Sequence, residues 1–224
     1  MLEIERMATY LKTLEMVVAQ EDKRISEMYA RDIEKAQTEE ERMVVEDYYG
    51  DLWWESVAGF QQYWLASFVV SWYAFVEQRL LDICAHLELT ITLKPLDNPK
   101  LGKGIRLARR FLKESAGYEI PKDYWDELVF IGRLRNIIVH SGLKVKGSYL
   151  PPEEGSPKGV QVQVQGNTFY YPIEENLHRY LVKHGLFQQV GVIAEITPTF
   201  EYCEHLISFA KGMFSRLFTD LGIS

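Results

Sequence analysis

The chain has few cysteines and lacks the residue spacings typical of several common catalytic centres. Its two cysteines, Cys84 and Cys203, each lie in an apolar helical pattern without a Cys or His at metal-ligand spacing. There is no Gly-X-X-X-X-Gly-Lys segment, no nucleophile elbow and no histidine pair at a metal-binding spacing. The sequence therefore predicts no metal and no cofactor, and it disfavours disulfide frameworks, nucleotide hydrolases, esterases and zinc enzymes.

Basic residues are too few to make the molecule positive as a whole. The 25 Lys and Arg residues face 32 Asp and Glu residues, which gives a formal net charge of −7 at pH 7. Such a molecule repels a polyanion on average. Any contact with a nucleic acid is therefore expected to be confined to a local basic surface.

The sequence also argues against a secretory signal, because it is charged from the third residue and has no basic start followed by an apolar stretch. Residues 56–76 carry no formal charge and are long enough to span a bilayer. Polar residues interrupt this run, however, and charged residues continue its helical pattern beyond Val76. We interpret it as a core helix and expect a cytoplasmic protein with no membrane contact.

The hydrophobic content of 47% is enough for a sizeable core, and the apolar spacing is mainly helical. It predicts helices over residues 2–37, 38–48, 52–89, about 100–115, 123–139 and about 198–221, with a short helix over 174–183. We expect a break at Gly50 and Asp51 and another near Gly59. The turn residues within 94–99 and 151–157 predict loops.

The pattern changes to that of strands between about residues 143 and 172. Val160, Val162 and Val164 alternate with glutamine, and residues 169–171 follow the turn pair Gly166-Asn167. We predict a mainly α fold with a small β-hairpin excursion before the last helix. The chain is divided into an N-terminal helical extension, residues 1–50, and a helical domain, residues 51–224, with the hairpin inserted at about 143–172.

Residues 135–140 carry the side chains that metal-free RNA cleavage requires. An imidazole has an ordinary pKa of ~6.5 and therefore acts as acid or base close to neutral pH, and a guanidinium binds phosphate oxygens. His140 and Arg135 supply these two groups. Asn136 lies on the same helical face as His140 and is placed to orient the imidazole, whereas Arg135 must use its long side chain to reach a shared phosphate. A helix-capping role for His140 is the alternative.

The Arg-to-His spacing alone is not specific, since Arg179 and His184 repeat it. Nothing around this second pair predicts a catalytic helix. We interpret both residues as solvated parts of a short helix that ends at Gly185.

Residues 135–140, followed by Ser141-Gly142, resemble the Arg-Asn-X-X-X-His motif of the HEPN (higher eukaryotes and prokaryotes nucleotide-binding) superfamily. Residues 71–81 resemble the apolar helix that pairs with the motif helix in prokaryotic members. The resemblance covers roughly residues 60–142 and the last helix. It implies an up-down helical bundle, here with a long N-terminal helix, which forms a homodimer with both motifs facing one cleft.

The resemblance also implies metal-independent endoribonuclease activity, with Arg135, Asn136 and His140 as the catalytic residues. Related proteins commonly act as toxins beside an antitoxin protein or in phage defence, whereas others are catalytically inactive. We therefore expect an endoribonuclease acting on RNA. The alternatives are an inactive HEPN-like module that binds a nucleotide, RNA or protein, and a structural helical adaptor in which the motif is coincidental.

A carboxylate and a basic stripe complete the candidate site. Glu77 lies in the most apolar helix, where an unpaired carboxylate is costly, so it is a candidate for holding Arg135 or His140; an ion pair with Arg79 or a lysine is the alternative. One face of the predicted helix at 100–115 carries four basic residues that are candidates for RNA binding: Lys103, Arg106, Arg110 and Lys113. A merely solvated helix face is the more common meaning of such a stripe.

Overall fold

The computed structural model describes residues 2–90, 103–149, 159–164, 166–190 and 192–223. Within these ranges the chain forms seven α-helices and five short β-strands. The helices are α1 (Leu2–Ile33), α2 (Glu39–Trp53), α3 (Phe60–Thr90), α4 (Gly104–Glu114), α5 (Lys122–Ser141), α6 (Glu175–Lys183) and α7 (Phe200–Leu221). The predicted mainly helical fold is confirmed, while the loops expected within 94–99 and 151–157 lie outside the described residues.

The predicted break at Gly50 and Asp51 is wrong. A capping box formed by Thr38 and Glu41 starts α2, and the helix then runs past Gly50 into a π-helical segment, Trp54–Gly59, that leads directly into α3. One glycine costs a helix only about 1 kcal/mol relative to alanine, which flanking turns readily offset. The expected irregularity near Gly59 is therefore a widening of one long helix rather than a break.

The middle of α3 forms the centre of the hydrophobic core. Leu65, Val69, Val76 and Leu80 are fully buried, and Trp72 is nearly so. Around it pack α4, α5 and α7, and α1 joins the same core through five buried residues: Ile4, Leu11, Leu14, Val18 and Ile25. No described helix combines the length and the apolar character needed to cross a bilayer.

The apolar spacing of residues 52–89 predicts that Trp53, Trp54 and Phe60 belong to this core, but the structure leaves all three partly exposed. Trp53, Trp54 and Phe60 are 40%, 61% and 42% exposed. They flank or lie within the π-helical segment, where the change in helical pitch turns their side chains outward. Assigning these three residues to the core was therefore wrong.

The strands form two small antiparallel sheets. The predicted hairpin is present as β2 (Val160–Val164) and β3 (Asn167–Tyr171), in a register that pairs Val160 with Tyr171. A three-stranded sheet was not predicted: β1 (Lys144–Lys146) and β4 (Phe187–Val190) both pair with β5 (Ile193–Ile196). A bridge between Ser148 and Tyr170 links the segment after β1 to the hairpin. Because β1 follows α5 almost directly, this sheet lies at the C-terminal end of α5.

Candidate active site

The end of α5 is held in place by two residues in the left-handed conformation. Gly142 caps the helix with φ 58°, as its position after Ser141 predicted, and Leu143 follows with φ 70°. A leucine in this conformation costs about 1–2 kcal/mol. Burial of its side chain and a 2.7 Å hydrogen bond from the Ile196 N–H to its carbonyl oxygen offset this cost and fix the last turn of α5 against β5.

His140 lies exposed on that last turn. Among the residues whose placement is described, it makes no hydrogen bond or ion pair, so the helix-capping alternative gains no support. Arg135, one and a half turns earlier, is half-buried, and its Nη1 donates a 3.0 Å hydrogen bond to Asn136 Oδ1. The expectation that Asn136 orients the His140 imidazole is not met, because the amide oxygen accepts from Arg135 instead.

Arg135 and Asn136 line a cleft of about 380 Å³ between α3, α4 and α5. We call it the α3–α5 cleft. Its polar lining consists of the side chains of Tyr73, Glu77, Lys103, Arg106, Arg133, Arg135 and Asn136. Among the described residues, four cationic side chains therefore surround one cleft with a single carboxylate, in a molecule whose net charge is negative.

Two glycines allow side chains of α3 to approach the neighbouring helices closely. A Cβ atom on Gly132 of α5 would lie 2.8 Å from Tyr73 Oη, and one on Gly104, which has φ 60°, would lie 3.1 Å from the Glu77 carboxylate. Burial raises the pKa of Tyr73, and Glu77 adds to the increase while Arg135 and Arg106 oppose it. The phenol therefore stays protonated at neutral pH and is able to donate a hydrogen bond into the cleft. Sequence reasoning missed Tyr73 and Arg133.

Glu77 lies in the cleft, but not in the predicted ion pair. In the described ranges no basic side chain is within 4.0 Å of its carboxylate, which lies against the first residue of α4, where the helix dipole favours a negative charge. The alternative pairing with Arg79 is wrong. Arg79 is on the same helix and pairs with Glu3 and Asp82.

The predicted basic stripe divides into two parts. Lys103 and Arg106 line the α3–α5 cleft. Arg110 and Lys113 lie further along α4, where Arg110 pairs with Glu114 at 2.9 Å and Lys113 pairs with Glu119 at 2.8 Å. Only half of the stripe therefore presents its charge to the cleft.

A second groove of about 540 Å³ adjoins the cleft and shares Arg106 and Val129 with it. The Arg109 guanidinium lies 4.2 Å from the centre of the Trp125 ring along this groove. Sequence reasoning assigned Trp125 to the apolar face of α5 and missed Arg109, since the two approach each other only when α4 packs on α5. Guanidinium and indole planes of this kind are surfaces on which nucleobases stack.

Of the second Arg-to-His pair, Arg179 agrees with the prediction of a solvated residue and His184 does not. Arg179 is exposed and pairs with Glu175 at 3.0 Å, as expected for a solvated residue. His184 is half-buried, with its ring centre 4.5 Å from that of Tyr180 and 4.9 Å from that of His205. The prediction that His184 is solvated is therefore wrong.

Comparisons of this chain with protein-family models, with curated proteins and with solved structures found no match. The HEPN resemblance accordingly depends on residues 135–140 and 71–81 alone.

Proposed function

We propose that the protein is a metal-independent endoribonuclease of the HEPN type that acts as a homodimer. The observation that carries the proposal is the position of Arg135 in a cleft with three further cations, one and a half turns before an exposed His140 in the last turn of the same helix. His140 itself does not line the cleft. Cations in a concave, partly desolvated surface attract a phosphodiester more strongly than scattered surface charges do.

The chemistry divides between these groups. Arg135, assisted by Lys103 and Arg106, binds the scissile phosphate and stabilises the charge that develops on it. His140 transfers a proton, either from the ribose 2′-hydroxyl or to the departing 5′-oxygen. The Tyr73 hydroxyl donates a further hydrogen bond to a phosphate oxygen.

A homodimer supplies the second proton-transfer group. One chain carries one motif histidine, and cleavage through the 2′-hydroxyl requires both a base and an acid. A two-fold axis beside the end of α5 would bring two copies of His140 to one phosphate. Val139, 48% exposed beside His140, provides apolar surface for such a contact.

The biological setting that we propose is the cytoplasm, where RNA is available. Uncontrolled cleavage would arrest growth, so a toxin with a cognate antitoxin protein, or a phage-defence component, fits the activity. The basic residues of the cleft also offer a docking surface through which an acidic antitoxin would block the site.

A second candidate is a catalytically inactive HEPN-like module that binds RNA, a nucleotide or a protein. The specific observation in its favour is the Arg135–Asn136 hydrogen bond, which leaves His140 without its expected orienting partner. This module would keep the anion-binding cleft and lack cleavage.

The decisive experiment measures cleavage of single-stranded RNA in EDTA by the wild type, His140→Ala and Arg135→Ala. We expect each substitution to reduce cleavage at least ~100-fold, since a positioned acid or base contributes about 10²–10⁴-fold. His86→Ala and Arg179→Ala are matched controls, because both residues are exposed and lie outside the cleft. Circular dichroism in EDTA verifies that every protein remains folded.

Cleavage that survives in His140→Ala would reject the nuclease proposal. RNA binding by the wild type without any cleavage, weakened by Arg135→Ala, would instead select the inactive module. Growth arrest on expression, relieved by the same two substitutions, tests the toxin role separately.

A further inference from the structure

A second group of polar side chains lies outside the α3–α5 cleft and has no role in the proposed cleavage. It consists of Glu127 on α5, His184 directly after α6, and His205 on α7, and we call it the Glu–His cluster. One potential ligand atom from each residue lies within 4.8 Å of the other two, and all three residues are half-buried. The fold thus brings together three side chains that are far apart in the sequence.

His184 has a buried polar atom that lacks a partner. Its Nε2 is inaccessible to solvent and makes no hydrogen bond within the described part of the chain. Leaving such an atom unsatisfied costs about 1–3 kcal/mol. A neutral imidazole nitrogen without a hydrogen-bond partner is able to act as a metal ligand.

The partners of Glu127 also leave room for a cation. The carboxylate Oε1 lies 2.5 Å from His205 Nε2 and 3.5 Å from the Tyr180 hydroxyl, which is itself 3.0 Å from the Tyr202 hydroxyl. No Lys or Arg in the described ranges pairs with Glu127. The cluster therefore combines one carboxylate with two imidazoles and has no fixed positive charge of its own.

We infer that Glu127, His184 and His205 bind one divalent transition-metal ion, with Zn²⁺ as the first candidate. Two imidazoles and one carboxylate are a ligand set of zinc and of other first-row metals, whereas Mg²⁺ and Ca²⁺ prefer oxygen-only sites. Zinc bonds of ~2.0–2.2 Å place neighbouring ligand atoms roughly 3.3 Å apart. His205 Nε2 and Glu127 Oε1, at 2.5 Å, lie closer than that, and all three ligand atoms lie within 4.8 Å of one another, so small side-chain rotations complete the site.

Metal binding would replace the hydrogen bond between Glu127 and His205. The ion takes the place of the hydrogen bond between His205 Nε2 and Glu127 Oε1, and the neutral His205 ring then carries its one proton on Nδ1. The Tyr180 hydroxyl remains beside the carboxylate and orients it from outside the coordination sphere. Three protein ligands leave a fourth position for water or another small ligand.

The site would join α5, the end of α6 and α7. It is independent of the proposed nuclease mechanism, which uses no metal. Glu127 precedes Arg135 by eight residues on α5, about 12 Å along the helix axis.

The test begins with protein that has been treated with EDTA, dialysed and reloaded with Zn²⁺ or Co²⁺. Bound metal is counted by atomic emission spectrometry, and thermal unfolding is followed with each ion. We expect one equivalent per chain, visible ligand-field absorption with Co²⁺, and a rise in Tm with Zn²⁺. Mg²⁺ and Ca²⁺ should leave Tm unchanged.

Variants of the three ligands locate the site. Glu127→Gln, His184→Gln and His205→Gln should each weaken Zn²⁺ binding at least ~100-fold, because even residues outside a coordination sphere change affinity by about 10–100-fold. The controls are Glu204→Gln and His86→Gln, which alter exposed residues and should keep one equivalent.

A measurement on the wild type covers the case in which a variant fails to fold. Imidazole ¹⁵N resonances of the five histidines are compared with and without Zn²⁺, and those of His184 and His205 should change. The inference is overturned if no stoichiometric metal binds, if other histidines respond in their place, or if binding persists in the folded ligand variants. The cluster would then be a hydrogen-bonded network only.

Discussion

At the scale of single residues, the α3–α5 cleft is a region of repulsion between like charges. Lys103, Arg106, Arg133 and Arg135 all line it, and Glu77 is the one carboxylate that does so in the part of the chain that the structure describes. Arg133 is partly compensated, since it pairs with Glu174 at 2.5 Å. The remaining positive charge is relieved when an anion enters, which is the property that a phosphate-binding site needs.

Gly132 tests whether the Tyr73 hydroxyl contributes to that site. In Gly132→Ala the new methyl group would meet Tyr73 Oη at 2.8 Å, so the tyrosine must rotate away from α5. We expect RNA affinity and cleavage to fall several-fold. Stability should change by less than about 1 kcal/mol, because the helical preference of alanine offsets the displacement.

Gly50→Ala is the matched control, since its added Cβ would have no atom within 4 Å. It should stabilise the protein by up to about 1 kcal/mol and leave cleavage unchanged. Urea denaturation and filter binding of labelled RNA measure the two properties. An unchanged affinity in Gly132→Ala would remove Tyr73 from the site.

Arg135, Asn136, Glu77, Lys103 and Arg106, which the sequence singled out, line one cleft in the structure, and their roles in cleavage stay predictions. The sequence was not sufficient to find the Glu–His cluster. His184 and His205 come from different elements, and a pattern of local spacing carries no information about which helices pack together. The prediction that His184 is solvated was wrong for the same reason, because Tyr180, Tyr202 and His205 pack against its ring.

At the scale of elements, helices were easier to predict than strands. The helices carry apolar spacing over many turns, whereas β1, β4 and β5 are three or four residues long and provide too few alternations. The hairpin β2–β3 was predictable because Gly166, with φ 81°, marks its turn, although Asn167 belongs to β3 and not to the turn. The partner of β1 is β5, about fifty residues later, and only tertiary structure shows that pairing.

The two parts of the basic stripe on α4 should differ in their contribution to RNA binding. Lys103 and Arg106 line the cleft, whereas Arg110 and Lys113 have carboxylate partners that already compensate their charge. The logarithm of the RNA-binding constant falls linearly with the logarithm of the salt concentration. We expect the double variant Lys103→Gln with Arg106→Gln to make this fall less steep, by up to about 0.7 for each phosphate that is no longer neutralised.

Arg110→Gln with Lys113→Gln removes the same charge and serves as the matched control. Its effect on the salt slope should be less than half as large. Titrations of RNA binding over a series of salt concentrations provide both slopes. Equal effects of the two double variants would mean that RNA binding does not depend on the cleft in particular, since Arg110 and Lys113 line the adjoining groove and not the cleft.

At the scale of the whole molecule, an acidic protein places four cationic side chains around one cleft. The net charge of −7 keeps nucleic acid away from most of the surface, and the cleft provides a local exception. A protein with this charge distribution is expected to contact RNA at the cleft and not over its whole surface. The cleft therefore agrees with the expectation from composition that any contact with a nucleic acid is confined to a local basic surface.

The stability of the whole fold should decrease as the pH falls below about 6.5. Burial lowers the pKa of His178, and burial together with His205 lowers the pKa of His184, both from an ordinary value of 6.5. As the pH falls through 6.5, the unfolded chain binds protons at these positions before the folded chain does. The free energy of unfolding is therefore fully present above 6.5 and decreases towards the lower folded pKa values.

Urea denaturation in EDTA at pH 7.5 and pH 5.5 measures this decrease without any contribution from metal. His184→Gln and His178→Gln should each make the difference between the two pH values smaller, and the double variant should reduce it further. His86→Gln, a change at an exposed histidine of α3, should retain the wild-type difference. If the double variant loses as much stability as the wild type, acid sensitivity arises from other groups, and the burial of these two imidazoles does not govern it.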